Sequence, residues 1–297
     1  MKPAPIALFA YNRPRHVRRT VAALAANDLA QESDLIVFSD GPKDDRDWDR
    51  VAEVRRYLGN IEGFHRLEVI ERPENLGLAG SIITGVTEVV EAHGRLIVLE
   101  DDLVTSPYFL RYMNEALDFY EDQEQVVSIS GYVYPVAGLP ETFFLLGADC
   151  WGWATWQRGW RIFEADGQKL LDRLRRENLT EVFDFDGAFA YTRMLTEQIQ
   201  GKNSSWAIRW YASAFLARRL TLYPGRSLVH HIGGDGSGTH CGSTSRLDVE
   251  LADRPVAVEE IPLTENSQAR EKVREFLTTL KPSLLERIIC LVKRAWR

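Results

Sequence analysis

Short apolar runs alternate with longer amphipathic segments through the first hundred residues of the chain. Runs at 6–10, 35–38, 67–70 and 95–99 have the length and bounding turn residues of buried strands. Between them, 17–26, 47–58 and 82–92 carry apolar residues at helical spacing. Asn12-Arg13-Pro14 breaks the first strand, Ser39-Asp40-Gly41-Pro42 closes the second, and Asn75 opens a glycine-rich loop that reaches Ser81. Beyond Pro107 the pattern predicts a helix over 108–120, a strand over 126–130, a turn at 222–225 and an apolar segment over 227–232. Strands of four to six residues separated by helices are the pattern of βαβ units and a mostly parallel sheet.

In such a sheet the loops at the carboxyl ends of the strands form the ligand crevice. Here those loops carry Asn12-Arg13, Ser39-Asp40, Asn75 with its glycines, and Glu100-Asp101-Asp102, all projecting to one edge. The last is the most informative, because an apolar strand opens directly onto three carboxylates. Adjacent anions stay ionised comfortably only beside solvent or a cation. Acids also suit the first turn of a helix, so the triplet alone fits either a metal site or a solvated turn.

With 297 residues, 45% hydrophobic and 27% charged, the chain can bury a sizeable core. A formal charge of −7 and the lack of any base-reading motif argue against nucleic acid as a partner. Cys150, Cys241 and Cys290 lie far apart without a CxxC pair, which excludes a zinc knuckle or a disulfide framework and fits a reducing compartment. No apolar run reaches the roughly 18 residues of a membrane span. The N-terminus runs almost directly into a strand, with no secretory leader pattern. The expected location is cytoplasmic, or peripheral on the inner face of the cytoplasmic membrane.

Six of the eight tryptophans fall between residues 151 and 210, and their density beside glycine suggests a sugar-stacking wall containing Trp151 and Trp153. Core packing is the competing use. Gly233-Gly234-Asp235-Gly236-Ser237-Gly238-Thr239-His240 is open enough to approach an anion, and His240 is a candidate ligand for metal or diphosphate. The segment 283–297 is a basic amphipathic helix pattern, suited either to an anionic membrane surface or to docking on the body of the protein.

Together these motifs resemble the metal-dependent GT-A glycosyltransferases, particularly the N-acetylglucosaminyltransferase I type and bacterial sugar transferases of surface-polysaccharide clusters. The resemblance spans roughly residues 5 to 245 and includes Leu103-Val104-Thr105-Ser106-Pro107-Tyr108-Phe109 after the acids. It implies a GT-A, Rossmann-like α/β fold: a mostly parallel sheet flanked by helices, with a Trp-rich acceptor-side subregion and a C-terminal amphipathic helix. Residues 1–125 would form the nucleotide-sugar-binding half, 126–265 the acceptor-binding half of the same domain, and 266–297 a helical tail.

The resemblance further implies an EC 2.4 enzyme, a hexosyl- or N-acetylhexosaminyltransferase. It would move a sugar from a nucleotide-sugar, expected to be a UDP-sugar, to a glycan or lipid-linked acceptor, with Mn2+ or Mg2+. Asn12, Arg13, Asp40 and Asn75 would line the donor, Glu100 would meet a donor-sugar hydroxyl, Asp101 the ribose, Asp102 the metal, and Trp206 the donor sugar. A divalent ion with oxygen ligands neutralises the charge that develops on a departing diphosphate.

An inverting transfer also needs a base for the acceptor hydroxyl. The position that carries it in the family is Ala207, which cannot accept a proton. Asp235 and Asp186 are the replacement candidates. A retaining transfer, or a non-catalytic sugar-nucleotide-binding protein with a degenerate site, is the alternative that Ala207 leaves open. A sugar-phosphate nucleotidyltransferase is disfavoured because Asn12-Arg13-Pro14-Arg15 lacks the glycine-rich phosphate loop expected after the first strand.

Overall fold

The computed structural model describes residues 2–235 and 245–280. His240 and the 283–297 segment lie outside the described residues. The first half runs β1 (Ile6–Ala10), α1 (Pro14–Ala25), β2 (Asp34–Ser39), α2 (Trp48–Leu58), β3 (Arg66–Glu71), α3 (Gly77–His93) and β4 (Arg95–Glu100). After a turn at Asp101 and Asp102 come β5 (Leu103–Thr105), α4 (Phe109–Phe119), β6 (Val126–Ser130), β7 (Thr142–Leu146) and β8 (Trp153–Trp156). Helices α5 (Gln157–Trp160), α6 (Gly167–Arg176), α7 (Thr180–Phe183), α8 (Tyr191–Ile199) and α9 (Ala207–Leu216) follow, then β9 (Leu220–Pro224), β10 (Val229–His231) and α10 (Ser267–Thr279).

Eight strands form one sheet in the order β3-β2-β1-β4-β8-β6-β9-β7. Pairings among β3, β2, β1 and β4 and between β6 and β9 are parallel, whereas β8 runs antiparallel to both of its neighbours and β7 to β9. The sheet is therefore continuous across residue 125, with β8 inserted between β4 and β6. All residues of β1 and β2 are buried, which explains their unbroken apolar runs. Alternate residues serve opposite faces: Ile6, Leu8, Leu35, Val37, Ile97 and Leu99 pack with α1, α2 and α4, while Ala7, Phe9, Ile36, Phe38 and Val98 pack under α3. Gly85 lets α3 approach the sheet, since a Cβ there would stand 2.6 Å from the Phe9 ring.

Two sequence expectations change. The stretch 75–81 is not a glycine loop, because α3 begins at Gly77. The amides at its start are bound by the carboxylate of Asp40, just past β2, which no local pattern reveals. The turn expected at 222–225 lies mostly within β9, which is sandwiched between β6 and β7, and Pro224 is tolerated as the last strand residue.

The tryptophan-rich region is largely core. Trp153 and Trp210 are 0% exposed and Trp206 2%, and the rings of Trp206 and Trp210 lie 5.6 and 5.8 Å from that of Trp153. Trp153 and Trp206 thus have no surface to offer an acceptor or a donor sugar, and both expectations are corrected. Their burial holds α9 against β8. Helix α10 also belongs to the body: Ala269, Val273 and Leu277 are buried, and the Asn266 side chain caps its first turn.

Candidate active site

Pro14 at the start of α1 fixes the backbone just after β1, leaving Arg13 at the helix N-cap. Its guanidinium reaches the turn after β4, donating to Asp101 Oδ1 at 2.5 Å and Asp102 Oδ2 at 2.8 Å. Asp101 also accepts from the Tyr11 N–H at 3.2 Å, and the Thr20 hydroxyl donates to its carbonyl at 2.8 Å. Arg13, Asp101 and Asp102, predicted to share one edge, are in direct contact.

The three acids differ in electrostatics. Burial pushes Glu100 up to about 8, helped by the charges of Asp102 and Asp101. Burial also raises Asp101, against the pull of Arg13. For Asp102 burial acts upward too, but the contact with His231 and the charge of Arg13 outweigh it and hold the carboxyl down to about 2. Asp102 is the one acid of the triplet held below the ordinary carboxylate range.

His231 was not among the residues singled out from sequence. It arrives because β10 pairs antiparallel with β5, setting His231 opposite Leu103 and its Nε2 3.3 Å from Asp102 Oδ2. The ring of Trp151 stacks on it, centroids 4.5 Å apart and planes 6° from parallel. The Ile232 N–H donates to the Asp102 carbonyl at 2.8 Å. A Cβ on Gly233 would stand 2.3 Å from Asp102 Oδ2 and 2.8 Å from His231 Nε2, so the glycine leaves a cradle where carboxylate and imidazole converge. The Asp102 carboxylate and the His231 imidazole are donor types that fit a divalent cation completing its shell with phosphate and water. Among the described residues, no cluster of three or more His, Cys, Asp and Glu side chains surrounds a common metal position.

The other predicted donor residues brace loops. Asp40 accepts from the N–H groups of Gly41, Leu76 and Gly77 at 3.1, 2.9 and 3.0 Å, so both of its oxygens are engaged at the start of α3. Asn75 donates to the Gly41 carbonyl at 2.8 Å. Asn12 donates to Asp47 Oδ1 at 2.7 Å, and the Tyr11 hydroxyl to Asp47 Oδ2 at 2.6 Å. Burial and that carboxylate push the Tyr11 phenol up to about 12. Asp47 escaped the sequence reading because it resembles any acid opening a helix.

Of the proposed bases, Asp186 lies among the helices of the second half, where Arg270 of α10 donates to both of its oxygens at 2.6 and 3.2 Å. That pairing lowers its pKa and leaves a poor proton acceptor held by Arg270, and the assignment is corrected. Asp235 lies two residues beyond Gly233, its side chain 52% exposed and its Oδ2 3.3 Å from His16 Nε2. Ala207 is the first residue of α9.

A mostly parallel sheet flanked by helices, with Arg13 and Asp102 meeting at its carboxyl edge, is the GT-A arrangement. The chain belongs to glycosyl transferase family 2, whose model matches residues 6–199. No curated protein matches it. Among solved structures it is similar to the mannosyltransferase PcManGT from Pyrobaculum calidifontis, in complex with GDP-Man and Mn2+, with 15% identity and a TM-score of 0.33 over 44% of this chain and 35% of that one. It is also similar to S. aureus TarS, with 16% identity and a TM-score of 0.32 over 49% of this chain and 25% of that one. The chain thus spans about a third and a quarter of those two proteins, and likeness at this level carries nothing further about function.

Proposed function

We propose that this protein transfers a sugar from a nucleotide-sugar, a UDP-sugar in the first instance, to a hydroxyl of a glycan or lipid-linked acceptor in cell-surface polysaccharide synthesis. Membership of glycosyl transferase family 2 supports the reaction class. The observation that carries the site is the convergence of Arg13 and His231 on Asp102 Oδ2 beside Gly233. Asp102 and His231 would hold Mn2+ or Mg2+, and such an ion neutralises charge on the departing diphosphate. Arg13 keeps Asp102 ionised and brings positive charge to the phosphate position, and Trp151 fixes the plane of the His231 ring. Glu100, held neutral up to about pH 8, can donate a hydrogen bond to a donor hydroxyl.

Among the described residues no helix is long and apolar enough to cross a membrane. The basic amphipathic pattern of 283–297 supports contact with an anionic membrane surface, on the cytoplasmic side where lipid-linked acceptors would be met. The test is a thermal-shift screen of UDP-, GDP- and dTDP-sugars with Mn2+, since a ligand specific to the native state raises Tm by mass action. A shift with one donor class, lost in Asp102→Ala, is expected. No shift with any donor overturns the proposal.

A further inference from the structure

We propose that Asp149 is the catalytic base that takes the proton from the acceptor hydroxyl. This inference rests on the sugar-transfer reading above.

Asp149 lies in the link that carries the chain from β7 back to β8, two residues before the Trp151 that stacks on His231. Gly147 and Gly152 bracket this link with φ of +94° and +62°. At both, a side chain would strike its neighbour: a Cβ would stand 2.3 Å from the Tyr211 ring and 2.6 Å from a methyl of Val229. The link is therefore closely seated. Its direction is fixed further by the Gly131 N–H donating to the Gly152 carbonyl at 2.7 Å.

The carboxylate is half-buried, and its partners are the N–H groups of Cys150, at 2.7 Å, and Trp151. Among the described residues no Lys, Arg or His pairs with it. In that it differs from Asp34 with Lys2, Asp186 with Arg270, and Asp101 and Asp102 with Arg13. Four phenols, those of Tyr132, Tyr134, Tyr191 and Tyr223, feel its charge. Tyr132 in turn packs edge-on against Trp151 at 4.7 Å. A carboxylate with no cation partner among the described residues, set among aromatic rings two residues before the Trp151 that stacks on His231, is costly unless it has work to do. An aromatic wall with one hydrogen-bond acceptor is also the surface that a sugar hydroxyl can enter.

Burial raises the Asp149 pKa against the two amides, which makes it a better proton acceptor than an exposed aspartate. In the step it serves, the acceptor O–H bond breaks and the proton passes to an Asp149 oxygen. The acceptor oxygen bonds to the anomeric carbon, and the bond from that carbon to the phosphate oxygen breaks, its electron pair leaving on the nucleoside diphosphate. Configuration at the anomeric carbon inverts. Asp235 is instead exposed, with its carboxylate beside His16.

The decisive experiment compares the full-length chain with Asp149→Asn and Asp149→Ser, both of which keep an oxygen for the Cys150 N–H. Donor binding is read by thermal shift with UDP-, GDP- and dTDP-glucose and Mn2+. Nucleoside diphosphate release is read with water and with p-nitrophenyl glycosides as acceptors. Wild-type Tm and donor binding with release lowered about 10²–10⁴-fold in both variants is the expected result. Release at the wild-type rate in either variant overturns the Asp149 assignment and leaves sugar transfer standing. A wild-type chain that binds a donor yet releases no nucleoside diphosphate to either acceptor also overturns it. A wild-type chain that binds no donor overturns the sugar-transfer reading, and this inference with it.

Discussion

His231 Nε2 lies 3.3 Å from Asp102 Oδ2, although 129 positions of sequence separate the two residues. Neither side chain alone makes a cation site, and the short antiparallel pair of β5 and β10 brings them together. Replacing His231 by Ala should weaken Mn2+ binding in the presence of UDP by at least about tenfold, equivalent to about 1.4 kcal/mol. Calorimetric titration of Mn2+ would show it, and an unchanged isotherm would remove His231 from the site.

Gly233→Ala tests the cradle itself. The new methyl would stand 2.3 Å from Asp102 Oδ2, so either the carboxylate turns away or the loop shifts. Overpacking of this kind costs about 1–3 kcal/mol. Donor-dependent stabilisation by Mn2+ should disappear while circular dichroism stays native, and retention of the full Mn2+ effect would contradict the proposed position.

The tryptophans should divide by role. Trp153→Ala opens a cavity among Trp206, Trp210 and Trp160 and should cost about 3–5 kcal/mol in denaturant unfolding. Trp151→Ala loses a ring stacked on His231 and should cost only about 0.5–1.5 kcal/mol beyond its lost buried area, while weakening donor binding with Mn2+. Equal stability losses in the two variants would contradict the distinction between core and site.

Glu100 gives a pH signature. Its carboxyl is raised from 4.5 to about 8 in the folded chain, so between those values the folded state holds a proton that the unfolded state has released. Stability from this group is therefore greatest below about pH 4.5 and declines as pH rises through 8. Asp102 acts in the opposite sense: its folded value of about 2 stabilises above about pH 4, and that contribution is lost as pH falls through 2. Urea unfolding at pH 5 and pH 8 should show the decline in the wild type and a flatter profile in Glu100→Gln. Parallel profiles would show that Glu100 does not titrate in this window.

Much of the first half was readable from the chain. The apolar runs at 6–10 and 35–38 predicted β1 and β2, and Leu99 followed by three acids predicted the end of β4. Arg13 and Asp102 were chosen from loops that a parallel sheet must send to one edge, and the structure joins them at 2.8 Å. The second half was less legible. A tryptophan looks alike in sequence whether it fills a core or lines a site, and only the contacts around Trp153 and Trp151 separate the two cases.

Local sequence determined the strands, the helices and the edge at which their loops gather, because burial on one or both faces imposes a periodicity readable within a dozen residues. Tertiary structure decided which distant residues meet: His231 against Asp102, Asp40 at the start of α3, Arg270 on Asp186, and Asp149 among its tyrosines. Those contacts depend on strand order and on long-range pairing, which no local window of sequence contains.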